Sequence, residues 1–180
     1  MIKLGGILKL LAFQEQNCSL TLKEGIEVYN QYLLDNNKKL LVDKDNSTLI
    51  RDHDASHVIF GLDTSLEEES FLDSWLIFGC SYKLRYLLSY TKLPELKGLT
   101  KYLAKEIGYR KFVSLYIKII PTHFKIFKKI KKMKKRWPFT PPEFYMERKI
   151  SDLRKEYGIK ILNEKDRMVP KLRWSGTISS

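Results

Sequence analysis

Residues 49–69 read LIRDHDASHVIFGLDTSLEEE, and a helical pattern within this segment stops at a glycine and starts again a few residues later. Gly61 follows the apolar run 58–60 and is a residue that commonly ends a helix. Ser65 followed by Glu68 is typical of a capping box, with serine at the N-cap and glutamate at N3. These features predict one helix ending near Phe60 and a second, antiparallel helix beginning near Leu66.

Histidines and carboxylates are concentrated in this reversal. His53 and His57 are separated by one helical turn, and Asp54 lies three residues before His57, so a helix presents all three on one face. Glu69 would lie about 18 Å from His57 on a straight helix, but the reversal places it in the first turn of the second helix. Two imidazoles with carboxylates suit zinc, iron(II) or manganese. The pattern predicts a metal site, with simple helix packing as the alternative.

The same arrangement, His-Asp-x-x-His followed by eleven residues and glutamate, resembles the signature of the coenzyme Q (ubiquinone) biosynthesis protein four family. A second block, near the C-terminal end, is similar to the last helix of that family. It comprises Tyr145-x-Glu147-Arg148 and Leu153-Arg154-x-Glu156-x-Gly158-Ile159. The resemblance covers about residues 40–160, and the first block is its more specific part.

The resemblance implies an all-helical, peripheral membrane protein that binds a divalent metal and prenylated aromatic lipids. The implied ligands are His53, Asp54, His57 and Glu69, with zinc as the ion of the family and iron or manganese left open. The implied activity is oxidative decarboxylation at C1 of a prenylated 4-hydroxybenzoate-type intermediate, a lyase-class reaction in which hydroxyl replaces carboxylate. Arg148 is a candidate contact for the substrate carboxylate, because guanidinium binds carboxylate bidentately. A non-enzymatic lipid-binding organiser of a quinone-biosynthesis complex, with a structural metal, stays open as the second interpretation.

Composition is that of one folded domain spanning residues 1–180, with 43% hydrophobic and 30% charged residues. No run of about 18 uninterrupted apolar residues predicts a transmembrane helix. Two cysteines without metal or redox spacing fit a reducing compartment. We expect a bacterial cytoplasmic protein on the inner face of the cytoplasmic membrane, with other quinone-biosynthesis proteins or a second copy as possible partners. No nucleophile elbow and no glycine-rich phosphate loop is present in the sequence.

Positive charge is concentrated in one segment, which accounts for eight of the net twelve charges. Three interpretations are open for it: a solvated helix face, an anionic membrane surface, or nucleic acid. Nucleic acid is disfavoured because no zinc-finger, RNP or helix-turn-helix pattern accompanies the charge. The membrane-surface residues that we predict are Lys125, Lys128, Lys129, Lys131, Lys132, Lys134, Lys135 and Arg136.

The remaining pattern predicts an all-α, irregular bundle of about six to seven helices. A short amphipathic helix is expected over residues 5–13, and the loop residues Asn46 or Ser47 are expected to cap the histidine-bearing helix. We expect a loosely ordered tail over 163–180 and packing or surface roles for His123. The other predicted helices are Leu20 to Leu34, Leu66 to about Tyr90, Pro94 to about Ile107, 109–136 with a kink or break at Pro121, and a last helix capped by Thr140 that runs to Tyr157.

Overall fold

The computed structural model describes residues 10–43, 47–81, 105 and 108–167, and within these it is predominantly helical, which confirms the all-α class. The predicted helix from Pro94 lies outside the described residues, as do most of the N-terminal helix and residues 168–180 of the tail. The helices are α1 Leu22–Asp35, α2 Leu49–Phe60, α3 Leu66–Gly79, α4 Tyr109–Ile130, α5 Ile150–Tyr157 and α6 Glu164–Arg167. Short 3-10 turns span Ala12–Gln14 and Glu143–Tyr145, and strand β1 (Cys80–Ser81) pairs in parallel with strand β2 (Trp137–Pro138).

The contact between α1 and α2 sets the position of the histidine-bearing helix. Thr21 and Glu24 form a capping box at the start of α1, with each side chain accepting a hydrogen bond from the other residue's backbone N–H. Gly25 then lets the two helices approach closely. A Cβ at this position would lie 2.6 Å from Cγ1 of Val58 on α2 and 2.8 Å from Cδ1 of Ile150 on α5. Any larger residue would push α1 away from α2.

The reversal between α2 and α3 forms as predicted, although its hydrogen bonds differ. Gly61 ends α2 in the left-handed conformation, with φ 66°, and Leu62 N–H donates to the His57 carbonyl at 2.8 Å. Ser65 is the N-cap of α3, but its hydroxyl donates to Asp63 and makes no cap bond. Glu68 accepts from the Asp63 N–H at 2.5 Å instead. The predicted Ser65–Glu68 box is therefore wrong, because Asp63 occupies the hydroxyl and draws Glu68 towards itself.

The N-terminus of α2 is capped mainly by Asp43, which was not among the predicted capping residues Asn46 and Ser47. The Asp43 carboxylate accepts from the N–H groups of Ile50 and Arg51, at 2.9 Å and 3.0 Å. Ser47 accepts from Leu49 N–H at 3.2 Å, whereas Asn46 lies outside the described residues. A carboxylate at this end also interacts favourably with the helix dipole.

Buried side chains from α2 to α5 form one core. Phe60 of α2 stacks on Trp75 of α3 with ring centroids 4.6 Å apart, and Ile119 and Ile126 of α4 are buried in the same cluster. Arg154 of α5 is also fully buried, and it donates to the carbonyls of Val58 and Ile59 at the end of α2. α5 thereby holds the C-terminal end of the histidine-bearing helix.

Two predicted helices are shorter than the pattern indicated. α3 ends at Gly79 and not near Tyr90, because Cys80–Ser81 is extended and pairs with Trp137–Pro138. α4 continues through Pro121, so the helix is not divided there, and of the two predicted outcomes the kink stays a prediction. Pro121 lies on the exposed side of the helix, where water can satisfy the carbonyl that loses its partner. α4 ends at Ile130 and not at Arg136, since the following chain turns into β2 and Lys134 N–H bonds to the Tyr157 carbonyl.

The predicted last helix is also wrong in its first half. After the turn Glu143–Tyr145, residues 146–150 run beside the start of α1, with hydrogen bonds from Leu22 N–H to Arg148 O and from Ile150 N–H to Leu20 O. The helix therefore begins only at Ile150, and it ends as predicted at Gly158, with φ 71°. The first residues of the predicted tail include α6, from which Arg167 is buried against Glu68, 3.3 Å away.

Candidate metal centre

The helix reversal brings three of the four predicted ligands together. His53 and His57 of α2 and Glu69 of α3 each offer a ligand atom, and these atoms lie within 4.8 Å of one another. The two imidazole rings are nearly perpendicular, with centroids 4.8 Å apart. His57 Nε2 lies 3.5 Å from Glu69 Oε2. Separations of this size allow one ion to bind all three side chains after small rotamer adjustments.

His57 is buried completely, and neither of its ring nitrogens makes a hydrogen bond of good geometry in the part of the chain that the structure describes, although Nε2 forms a long ion pair with Glu69 Oε2 at 3.5 Å. The ring stacks on Tyr29 of α1, with centroids 4.7 Å apart and an interplanar angle of 23°. Buried polar atoms in folded proteins are nearly always hydrogen-bonded. Among the described side chains the exceptions are this imidazole and the indole nitrogens of Trp75 and Trp137, and of these His57 is the one beside other potential metal ligands. A metal ion between His53, His57 and Glu69 would satisfy it, and the N2O donor set fits zinc, iron(II) or manganese.

Opposing effects determine the charges of His57 and Glu69. Burial disfavours the imidazolium, but the carboxylates of Glu69, Asp54 and Asp63 outweigh it and raise the pKa of His57. Burial likewise opposes the Glu69 carboxylate, but His57, His53 and Lys38 more than offset it and lower the pKa of Glu69. Both shifts favour the charged forms of the two side chains. A divalent cation would compete with a proton for His57.

Asp54 lies beside the three-residue group and not within it. Its Oδ1 is 3.7 Å from His53 Nδ1, and both side chains are mostly buried. A carboxylate next to a ligating imidazole fixes the orientation of the ring and raises its basicity. The geometry thus assigns Asp54 a position suited to orienting His53.

Asp73 is a nearby carboxyl group that the sequence analysis missed. It follows Glu69 by one turn on α3, and removal of solvent around it together with the Glu69 charge raises its pKa to about 6, against an opposing effect of the two histidines. The four-residue spacing from Glu69 was available in the sequence. The stacking of Tyr29 on His57 was also missed. No local sequence pattern could indicate it, because Tyr29 belongs to α1 and His57 to α2.

The third histidine lies in a different contact. His123 of α4 lies between two serines of α3, with Nδ1 2.7 Å from Ser74 Oγ and Nε2 3.3 Å from Ser70 Oγ. Its ring also meets the edge of Phe71, 5.2 Å away. These contacts are those of a packing residue, which is one of the roles predicted for His123 from the sequence.

Arg148 occupies a surface ion pair. Its Nη2 is 2.6 Å from Glu156 Oε2, and its guanidinium lies over the Tyr145 ring at 5.2 Å. The predicted contact with a substrate carboxylate stays a prediction, and a ligand would have to compete with Glu156 for this guanidinium.

The basic cluster is divided between a helix and a turn. Lys125, Lys128 and Lys129 belong to α4, whereas the other five residues follow its end. Lys125 pairs with Asp166 at 2.5 Å and Lys135 with Glu156 at 2.6 Å. The eight basic residues therefore do not lie on one face of a single helix, because five of them follow the end of α4.

α4 does carry an exposed apolar stripe, which is about 100° wide by helical geometry. Its members are Tyr109, Val113, Tyr116, Ile117, Ile120 and Phe124.

Among the described residues, no helix combines the length and the apolar character needed to cross a membrane. Comparison with protein-family models, with curated proteins and with solved structures found no match.

Proposed function

We propose that this chain is a divalent-metal protein of ubiquinone biosynthesis that acts at the membrane surface on a prenylated 4-hydroxybenzoate-type intermediate. The observation that carries the metal centre is the buried His57 imidazole, which lacks a hydrogen-bond partner and faces His53 and Glu69. The biosynthetic assignment is supported by the sequence resemblance, in which His53, Asp54, His57 and Glu69 occupy the positions of the metal motif.

Three protein ligands, rather than four, favour an enzyme. Structural zinc sites are closed by four protein ligands, whereas catalytic sites leave a position for water or substrate. The Glu69 side chain is 34% exposed, so this side of the site is accessible from solvent. A bound ion would supply Lewis-acid polarisation of a substrate oxygen and, if it were iron, redox chemistry as well. Replacing a ring carboxylate by hydroxyl is an oxidation, so the reaction also requires an oxidant such as dioxygen.

The protein side chains would divide the remaining tasks. His53, His57 and Glu69 hold the ion, and Asp54 orients His53. Asp73 is placed one turn from Glu69, at an exposed position of α3 where its carboxyl group can exchange a proton with solvent.

Metal analysis of purified protein tests this proposal. We expect about one zinc, iron or manganese ion per chain in the wild type and in His123→Ala, a matched control that removes the third histidine and keeps His53 and His57. The His53→Ala/His57→Ala protein should hold none. Iron in the wild type would favour the oxidative reaction. No bound metal after reconstitution with all three ions would contradict the proposal.

A lipid-binding organiser with a structural metal is the second candidate, and the apolar stripe of α4 beside the basic cluster favours it. Flotation with anionic and neutral vesicles tests the surface. We expect binding to anionic vesicles, reduced in Ile117→Ser/Ile120→Ser and retained in Leu34→Ser, a comparably exposed change on α1. Equal binding to both vesicle types, or binding to neither, would contradict an electrostatic membrane contact.

A further inference from the structure

A cleft lies between the end of α3 and the end of α4 with the turn that follows it. Phe78 and Phe127 both line it, with ring centroids 4.4 Å apart, and Ile130 and Met133 complete its apolar part. The cleft encloses about 380 Å³, a volume near the lower limit of small-molecule sites, which is roughly 300 Å³. No ligand of the candidate metal centre lines it, so the cleft is a separate site.

Gly79 lines the cleft without adding a side chain to it. A Cβ at this position would lie 3.1 Å from Trp75 Cε3 and 3.6 Å from Met133 Sδ. Phe78, the preceding residue, remains 42% exposed although its ring contacts Phe127. Aromatic surface that stays accessible inside a concavity is typical of a site for an apolar ligand.

The other side chains that line the cleft are basic. They are Lys131, Lys135 and Arg136, and all three are exposed. Lys135 is paired with Glu156 at 2.6 Å. In the part of the chain that the structure describes, the side chains of Lys131 and Arg136 form no ion pair or hydrogen bond, and no acidic side chain lines the cleft. An apolar cavity bordered by unpaired cations is complementary to a molecule with an apolar chain and an anionic head.

We infer that this cleft binds a single-chain amphiphile with an anionic head, of the fatty-acid class. The chain would lie against Phe78 and Phe127, and the head would meet the Lys131 ammonium and the Arg136 guanidinium, whose fork of N–H donors matches a carboxylate. The small volume favours one chain over the two of a membrane lipid. This inference goes beyond the proposed metal chemistry and does not depend on it.

Titration of the full chain with decanoate below its micelle concentration, followed by ligand-observed NMR, tests the inference. The titrations are made in chelator, because a carboxylate can also bind a metal ion, so their result is independent of the metal centre. We expect saturable binding of decanoate. The uncharged 1-decanol should bind at least about tenfold more weakly, and acetate, which lacks the chain, should not bind detectably. Octanoate should bind about fourfold more weakly for each methylene that the cleft buries.

Two double variants with the same loss of charge locate the head. Lys131→Gln/Arg136→Gln should weaken decanoate binding about tenfold. Lys128→Gln/Lys132→Gln removes two exposed charges of the same basic cluster that do not line the cleft, and it should bind as the wild type does. An equal loss in the two variants would show diffuse attraction by the basic cluster and would overturn the inference.

Two neighbouring residues of α3 locate the chain. Phe78→Ser should weaken decanoate binding about tenfold, because it removes an aromatic ring from the cleft. Ile77→Ser is the matched control, since Ile77 is 45% exposed and does not line the cleft. The inference is wrong if Phe78→Ser binds decanoate like the wild type. It is equally wrong if the wild type does not bind decanoate, or binds 1-decanol as tightly.

Discussion

Arg154 and His57 are both fully buried polar side chains at the C-terminal half of α2, and their hydrogen bonding is opposite. Arg154 donates to five carbonyls, those of Phe13, Glu15, Gln16, Val58 and Ile59. His57 has no hydrogen-bond partner in the described structure. A buried polar residue that only supports the fold is expected to be satisfied by the fold. The contrast indicates that Arg154 is structural. The indole nitrogens of Trp75 and Trp137 are also buried without partners, but His57 lies beside His53 and Glu69, which makes it the candidate ligand.

The electrostatics of the two residues fit this division. Burial lowers the pKa of Arg154 to about 9, so its guanidinium remains charged at pH 7. The carbonyls of Val58 and Ile59 are at the negative end of the α2 dipole, which stabilises that charge. His57 instead faces carboxylates, which favour any cation, whether a proton or a metal ion.

The largest effect is expected from Arg154→Met. The change leaves several buried carbonyls without donors, and we expect it to lower the free energy of unfolding by about 3–5 kcal/mol. Urea denaturation measures this loss. Lys155→Met is the matched control on the exposed side of α5 and should change stability by less than about 0.5 kcal/mol. Equal stability of the two variants would show that Arg154 does not hold α2.

His57→Phe should have a much smaller effect on folding. Phenylalanine keeps an aromatic ring against Tyr29 but removes the long ion pair with the partly exposed Glu69, so the metal-free protein should lose no more than about 2 kcal/mol. Zinc affinity should fall at least about 100-fold, since a ligand is lost. Urea denaturation in chelator and zinc titration check the two parts. A large loss of metal-free stability would make His57 a packing residue like Arg154.

Glu69→Gln and Asp54→Asn distinguish a ligand from an orienting neighbour. We expect Glu69→Gln to lower zinc affinity at least about 100-fold and Asp54→Asn only about tenfold. Zinc titration against a competing chelator measures both. The reverse order would place Asp54 in the coordination sphere, as the sequence motif implied.

The smallest effect is expected from an exposed ion-pair network. Hydrogen bonds from Lys135 and Arg148 lower the pKa of Glu156 below its ordinary value of 4.5. Its stabilising contribution is therefore present above pH 4.5 and disappears as pH falls through the lowered pKa. Glu156→Gln should destabilise the protein by less than about 1 kcal/mol at pH 7, and not at all at strongly acidic pH. Thermal melting across pH tests this, with Glu147→Gln as a control that should show no such trend.

The features that sequence predicted correctly are those encoded locally. Gly61 ends α2 at the predicted position, and the spacing of His53 and His57 puts both on one helix face. The errors arise where distant segments compete with local preference. Thr140, Pro141 and Glu143 form a good helix start, but residues 146–150 pair with the start of α1 instead. The lysine-rich end of α4 is helix-forming, yet the chain leaves the helix to form β2.

For the candidate site, too, the sequence predicted the locally encoded residues and missed those that come from distant segments. Its ligands lie within one 21-residue segment and could be predicted from spacing. Tyr29 reaches it from α1, through packing that no short pattern specifies. The role of Arg154 likewise depends on carbonyls more than 90 residues away in sequence, such as those of Val58 and Ile59.

Metal content of the wild type beside His57→Phe tests the central claim most directly, because this variant should fold and lack only the ligand. Both proteins would be reconstituted with ferrous, manganous or zinc ion, freed of unbound metal, and measured by elemental analysis. We predict about one ion per chain in the wild type and essentially none in His57→Phe. Equal metal content in the two folded proteins would contradict the assignment of His57 as a metal ligand.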